Sequence, residues 1–335
     1  MGIRSRIRYF LRNTPKQLER SRQRGKAASS HLQRTMDLLQ GYDLVQADMY
    51  RQVSGSRKGM IASFEEEQTF SRLNSYPGYI LDNKAVFAQL MDANGVRAPK
   101  LLAVFRNGEL RWEKNGMDNA AEYLERDGGV IIKPTFGTQG SGVEIARSIT
   151  EIEAFSGVDS IVTELISQQT YSSDIFAGSL NTIRVLSVCD PTGEHILAGA
   201  VHRFGTSRSA PVDNLHAGGL VAEIDRESGV MTSALDRRAD NSVGWVECHP
   251  ETGAMIQSAQ VADWDMVKDL VRDLGDVFSY FPIIGWDIAI APDGPVVIEG
   301  NAYPGLALFQ MFGPFSRDPY FEKLMSQYFS GLKAN

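Results

Sequence analysis

The stretch GWDIAIAPDGPVVIEGNAYPG, residues 285–305, is two apolar runs around a turn signal, interrupted by three hard oxygen ligands, Asp287, Glu299 and Asn301. Ile288 to Ala291 lead in and Val296 to Ile298 lead out, so both runs read as strands. Between them, Pro292-Asp293-Gly294 offers proline for the first corner of a type I turn and glycine for a following left-handed position. That is the chemistry of a three-residue hairpin loop. Such a loop opposes Ala291 to Pro295, which sets Asp287 across from Glu299 and puts Asn301 on the same face. A two-residue loop would shift the register by one and send the two carboxylates to opposite faces. Facing carboxylates repel unless a cation lies between them, and carboxylate and amide oxygens suit Mg²⁺, which shares its shell with phosphates. The solvated outer face of an edge hairpin would carry the same residues, so the rest of the chain has to decide.

At 335 residues the chain can form two or three lobes, and 43% hydrophobic with 22% charged residues is a globular balance. No apolar run approaches the ~20 residues that span a bilayer. The N-terminal MGIRSRIRYFLRNTP lacks the apolar core of a secretory signal, and Cys189 and Cys248 have neither disulfide-framework nor metal-ligand spacing, so a cytoplasmic setting is expected. Residues 1–34 contain ten Lys or Arg and one Glu, whereas the whole chain has a net charge of −7. Ile3, Ile7, Phe10 and Leu11 recur at helical spacing among Arg4, Arg6, Arg8 and Arg12. The segment therefore reads as a basic amphipathic helix for a membrane surface or acidic partner, as a helix packed on the acidic body, or as a solvated tail. The acidic body, without helix-turn-helix or zinc-finger patterns, speaks against nucleic acid.

Along the chain, residues 1–70 read as mostly helical, and NKAVFAQLMDANGV reads as a helix capped by Asp82 or Asn83 and ended by Gly95. RAPKLLAVF is a strand, NAAEYLERDGG a helix, and short strands with Gly-rich turns fill the chain from VIIKP to the helix DWDMVKDLVRDLGDVFSYF. The hairpin and a closing helix, DPYFEKLMSQYFSGL, follow. This mixed order, rich in antiparallel-type strands, is α+β.

Three further segments carry chemistry. In GGVIIKPTFGTQGSGVEIA a strand ends at Lys133-Pro134, and Gly137, Gly140 and Gly142 form a loop before the next strand. Glycines let backbone N–H groups turn toward phosphate oxygens, and the lysine adds a point charge. The pattern is neither of the familiar nucleotide motifs, and a plain glycine-rich hairpin has the same composition. In SLNTIRVLSV, Arg184 lies inside a strand; facing inward it needs an anion, facing outward it is an ordinary surface arginine. In AVHRFGTSRSAPVDNLHAGG, Arg203 and Asn214 frame a polar segment that also reads as a simple long loop.

In this order the pieces resemble the ATP-grasp superfamily: a helix-borne Lys84, IIKP with its glycine loop, VTELI, a strand arginine and a paired D…E-x-N, over roughly residues 76–310. NLHAGG and the hairpin look like segments of the ribosomal-protein glutamyl ligases. SLNTIRV, VDNLHAGGLVAEID and GWDIAIAPDGPVVIEGN are closer to the sugar-transfer-associated ATP-grasp group, named for neighbours in polysaccharide pathways. The resemblance implies a nucleotide held between two α+β lobes behind a mostly helical N-terminal extension. It divides the chain into an extension over 1–75, an N-terminal lobe over 76–128, a glycine-loop lobe over 129–166 and a metal-bearing C-terminal lobe over 167–335.

By the same resemblance, Lys84 and Lys133 contact ATP phosphates, the loop of Gly137, Thr138, Gln139, Gly140, Ser141 and Gly142 closes over them, and the backbone of Glu164, Leu165 and Ile166 holds adenine. Asn214 belongs to the nucleotide site. Asp287, Glu299 and Asn301 bind two Mg²⁺ ions, with Mn²⁺ an alternative, and Arg184 and Arg203 face the γ-phosphate or an acyl phosphate. The ribose contact is not fixed; Gln168, Gln169 and Asp174 are the candidates. Val212 stands where the glutamyl ligases carry an arginine, so their acceptor specificity does not transfer. The implied activity is an ADP-forming carboxylate–amine ligase working through an acyl phosphate on an amino acid, peptide or amino sugar. A kinase acting on a hydroxyl, or a non-catalytic nucleotide-binding adaptor, are the alternatives.

Overall fold

The computed structural model describes residues 31–54, 59–74, 78–137, 140–238, 242–317 and 319–328. The basic segment at the N-terminus, Thr138, Gln139 and the end of the expected closing helix lie outside them. Two antiparallel sheets organise the chain. The smaller has the order β2-β1-β5-β3-β4 and the larger β10-β9-β8-β7-β6-β11-β12.

The smaller sheet comprises β1 (Leu101–Arg106), β2 (Glu109–Trp112), β3 (Val130–Pro134), β4 (Glu144–Ala146) and β5 (Ser160–Glu164). β1 and β2 meet through Asn107 and Gly108, both in the left-handed region (φ 52° and 78°), the requirement of the tightest hairpins. Val130 and Ile132 point into a core with Ala120 of the Gly116–Asp127 helix and Ile152 of the Ile149–Glu153 helix. Alternation then places Ile131 and Lys133 on the opposite face.

The larger sheet comprises β6 (Ile183–Cys189), β7 (His195–Phe204), β8 (Leu220–Ile224), β9 (Met231–Arg237), β10 (Val243–Val246), β11 (Ile283–Ala291) and β12 (Gly294–Asn301). Every residue of β11 is buried, because both faces of the sheet are covered around it. On one side Trp286, Ile288 and Ile290 pack with Val267, Val271 and Leu274 of the Trp264–Val277 helix and with Phe87 and Met91 of the Lys84–Ala93 helix. On the other, Ile283, Leu186 and Val201 pack with Ala47 and Tyr50 of the Leu44–Ser54 helix and Phe70 of the Ser63–Asn74 helix. The helical N-terminal region thus forms one cover of the larger sheet.

The hairpin corrects one expectation. Its loop has two residues, Pro292 and Asp293, because Ala291 pairs with Gly294 rather than Pro295. By itself that register would have put Asp287 and Glu299 on opposite faces. A bulge cancels it: pairing runs to Ile288↔Val297, skips Ile298, and resumes at Asp287↔Glu299 and Gly285↔Asn301. The ligand face is as expected, reached by a different route.

Asn74 and Glu66 are among the side chains that fasten the helical cover to the sheet and to the segment after it. Asn74, fully buried, donates from Nδ2 to Ile283 O (3.0 Å) and Ala302 O (2.6 Å). Glu66 accepts from Leu306 N at 3.0 Å, and burial lifts its carboxyl to about 7 against that hydrogen bond. Asn74→Ala leaves the freed carbonyl groups poorly satisfied and should cost about 2 kcal/mol in urea unfolding; an unchanged midpoint would remove the fastening role. For Glu66 the folded value lies above the ordinary 4.5, so its stabilising contribution is complete below about pH 4.5 and is lost by about pH 7. Glu66→Gln keeps the acceptor and cannot ionise. Its stability relative to wild type should rise as pH goes from 4.5 to 7; parallel pH profiles would contradict this.

Candidate functional site

The site grows from three adjacent strands. Asp287 on β11 lies directly across from Arg184 on β6, and β7, carrying Arg203, is the next strand over. Asp287 is 3% exposed. Arg184 grips it with both arms, Nε to Oδ1 and Nη2 to Oδ2 (2.9 Å), while its Nη1 donates to Pro304 O at 3.0 Å. Pro304 comes that close because β11 has a glycine there; a Cβ on Gly285 would stand 2.6 Å from Pro304 Cβ. Arg203 Nη2 donates to Asp287 Oδ2 at 2.9 Å. Arg184 is the inward-facing arginine of the two sequence readings, and its anion is Asp287.

Burial pushes the Asp287 carboxyl up, but Arg184 and Arg203 outweigh it and hold the group well below the usual carboxylate range. Glu299, opposite on β12, moves the other way. Lost hydration and the charge of Asp287 raise it above its ordinary value, although a quarter of its side chain (25%) stays exposed. Asn301 turns its Nδ2 toward Gly285 O (3.4 Å) and Glu299 Oε1 (3.5 Å).

The smaller sheet and the Lys84–Ala93 helix supply lysines. Lys84 opens its helix behind Asn83, whose Oδ1 accepts from Ala85 N and Val86 N at 3.1 and 3.2 Å; Asn83, not Asp82, is therefore the cap. Lys84 N donates to Thr135 O (3.0 Å), and its Nζ donates to Gly137 O (2.7 Å) while standing 4.0 Å from Glu299 Oε2. Burial lowers Lys133 to about 8, with Glu299 pulling the other way. Gly140 and Gly142 sit at φ 70° and 74°. A Cβ on Gly140 would meet Val212 Cγ1 at 2.4 Å, so Gly140 lies against the β7–β8 connection, with the exposed Ser141 next to it in the chain.

At the other end, Ile166 packs with Ala289 and Ala291, which alternation places on the Asp287 face of β11. Glu164 ends β5 with its N–H committed to Lys100 O at 3.0 Å. Its carboxylate is held by Arg97 Nη1 (2.9 Å) and Nη2 (3.2 Å), with Arg126 Nη2 3.5 Å away. Leu165 continues from it toward Ile166. Of the ribose candidates, Gln168 is consumed internally: its amide donates to Phe176 O and Ser179 O, and its carbonyl accepts from Asn181 N and Ser172 Oγ. Gln169 donates to Asp263 (3.1 Å) and Asp174 is exposed. Asn214 Oδ1 accepts from His216 N at 2.8 Å, capping the Leu215–Ala217 turn.

Sequence reading passed over Thr182 and Asp213. Thr182 Oγ1 accepts from Arg203 Nε (3.1 Å) and Nη2 and donates to Asp213 Oδ2 (2.5 Å). Its signal was its place two residues before Arg184, hence on the same strand face. Asp213 carried none beyond preceding Asn214.

The donor set fits a hard divalent cation. Among the described residues no group of three His, Cys, Asp or Glu side chains gathers to hold a metal. The set is two carboxylates and one amide, the sparse protein share that Mg²⁺ takes when water and phosphate complete its shell. Three N–H donors occupy Asp287, out of about four acceptor positions on a carboxylate. No helix among the described residues is long and apolar enough to cross a membrane.

Comparison with known proteins gives a family. The model of the sugar-transfer associated ATP-grasp family matches residues 151–316. No curated protein matches the sequence. Among solved structures, the chain is similar to the ATP-grasp ligase PsnB complexed with minimal precursor (17% identity, 76% of this chain and 64% of that one, TM-score 0.41). It is also similar to an L-amino acid ligase from Bacillus licheniformis (11%, 76% and 48%, TM-score 0.45). A third is D-alanyl-alanine synthetase A from Vibrio cholerae O1 biovar eltor str. N16961 (12%, 74% and 61%, TM-score 0.42). The chain spans less than two thirds of each of these solved chains. The family match runs through β6, β7, β11 and β12, so over residues 151–316 this chain is matched by the sugar-transfer associated ATP-grasp family.

Proposed function

We propose that the protein is an ATP-dependent, ADP-forming carboxylate–amine ligase. One observation carries the reading: four cationic side chains, Arg184, Arg203, Lys84 and Lys133, converge on the opposed pair Asp287 and Glu299 between the two sheets. A cluster richer in cations than in carboxylates is an anion site with a place for a metal, which is what a nucleoside triphosphate requires.

In this reading Lys84 and Lys133 bind phosphate oxygens, and the glycine loop closes over them with its backbone N–H groups. With Glu164 N–H taken by Lys100, the adenine edge falls to the backbone of Leu165 and Ile166 and to the Glu164 carbonyl. Because Gln168 is committed to four internal bonds, this reading gives the ribose to Gln169 or Asp174. Asp287, Glu299 and Asn301 would hold Mg²⁺, which would supply positive charge against the transferring phosphate. Arg184 and Arg203, standing beside that site, exchange Asp287 for oxygens of the γ-phosphate and then of the acyl phosphate, where negative charge develops. Attack of the substrate carboxylate on the γ-phosphorus releases ADP, and an amine then displaces phosphate from the acyl carbon. No side-chain nucleophile takes part. Amino acids, peptides and amino sugars are the substrate classes to screen.

Lys133→Ala and Glu299→Ala should each lower ADP release about 100-fold or more, the scale of removing one preorganised electrostatic partner, with circular dichroism unchanged. Near-wild-type turnover in either variant would refute the assignment. In the substrate screen, free phosphate accompanied by an amide product in mass spectrometry supports a ligase. Phosphate retained on a hydroxyl would make it a kinase.

A further inference from the structure

Arg203 is held from two sides, and only one of them belongs to the metal and phosphate site. Toward the site, its Nη2 reaches Asp287 Oδ2 at 2.9 Å. Away from it, Nε lies 3.4 Å from Asp213 Oδ2, and both Nε and Nη2 donate to Thr182 Oγ1. Thr182 is locked in turn: its N and Oγ1 donate to Asp213 Oδ2 at 2.8 and 2.5 Å, and its carbonyl accepts from Arg203 N at 2.8 Å. Asp213 is 7% exposed and Thr182 5%. A carboxylate so deep is costly without a purpose for its charge. Asp213 also follows Val212, the residue that a Cβ on Gly140 would overlap, so it sits in the β7–β8 connection next to the point that Gly140 approaches.

We infer that Asp213, acting through Thr182, is a positioning residue that divides the Arg203 guanidinium between itself and Asp287. The division has a consequence for magnesium. Arg184, Arg203, Asp213 and Asp287 form a buried set of two cations and two anions. With Asp213 neutralised, the anions left to Arg203 among the described residues, Asp287 at 2.9 Å and the more distant Glu299, are ones that the proposed metal also needs. Arg203 then settles on Asp287 and competes with the cation for it. The inference rests on the nucleotide-site reading above and adds to it a residue that need not touch nucleotide or metal.

Asp213→Asn keeps the shape and removes the charge; Thr182→Val keeps the charge and removes the hydroxyl bridge. Binding of ADP and of a non-hydrolysable ATP analogue is measured by calorimetry over a magnesium titration, alongside thermal unfolding. For Asp213→Asn the magnesium needed for half-maximal binding should rise about tenfold, while affinity at saturating magnesium stays within about twofold. Thr182→Val should shift in the same direction by less, and Asp213→Glu should recover part of the effect. A merely structural role would instead lower the unfolding temperature and weaken binding at every magnesium level, and that result overturns the inference, as does a wild-type magnesium profile in Asp213→Asn. If Asp213→Asn does not fold, Thr182→Val decides by the same criteria. Absence of magnesium-dependent nucleotide binding in wild type would sink the nucleotide-site reading and this inference together. A normal wild type with unshifted variants sinks the inference alone.

Discussion

The carboxylate of Asp287 is buried on β11, the second strand from one edge of a seven-stranded sheet, and it is stable there only because Arg184 reaches it from the adjacent strand β6 and Arg203 from β7 beyond it. Removing one partner of a buried ion pair costs about 3–5 kcal/mol, because the remaining charge has lost its water. The strand order β7-β6-β11-β12 is what brings the partners together, since none of the three residues is near another in sequence. Once this arrangement is set, much else is constrained. Gly285 has to lack a side chain so that Pro304 can take the last arm of Arg184, and Glu299 has to face a carboxylate already neutralised by others. A sheet covered on both faces makes this a firm floor; opposite it, Gly140 meets Val212 of the β7–β8 connection and Gly137 O accepts from Lys84 Nζ.

What could be read from the sequence followed from local periodicity, and what could not depended on pairing between distant segments. The facing of Asp287 and Glu299 was legible because both lie in short apolar strands flanking a turn. The bulge at Ile298 was not, because Pro295, Val296, Val297 and Ile298 are all apolar and show no alternation that a skipped residue would disturb. Proline, aspartate and glycine fit both loop lengths, so the turn chemistry could not separate them. Two errors of one residue, in the loop and in the strand, therefore cancelled. A helix starting behind Asp82 or Asn83 and ending at Gly95 was readable for the same local reason, whereas the choice of Asn83 as cap and the inward facing of Arg184 were not.

Partners were harder. That Arg184 answers Asp287 requires knowing that β6 lies beside β11, about a hundred residues away, and no local signal gives that. Gln168 shows the reverse failure. A glutamine after the hinge strand has the right chemistry for a ribose hydroxyl, but Asn181, Ser172, Phe176 and Ser179 use all of its capacity. Availability, not residue type, decides a binding role, and it is a property of the packed structure.

The same criterion applied to Asp287 gives the site its logic. A carboxylate that already accepts three N–H donors has little left for a lone hydrated cation, which would have to shed water for a group whose charge is spent. Phosphate oxygens are better acceptors for guanidinium groups than a shared carboxylate, since they accept in the same two-armed geometry and bring more charge. An anion entering between the lysines and the arginines would draw the arginines toward itself and return Asp287 to the face it shares with Glu299 and Asn301. In the proposed site cation and phosphate open places for each other, so the arginine-bound Asp287 is consistent with the proposed metal binding and ties it to the arrival of phosphate.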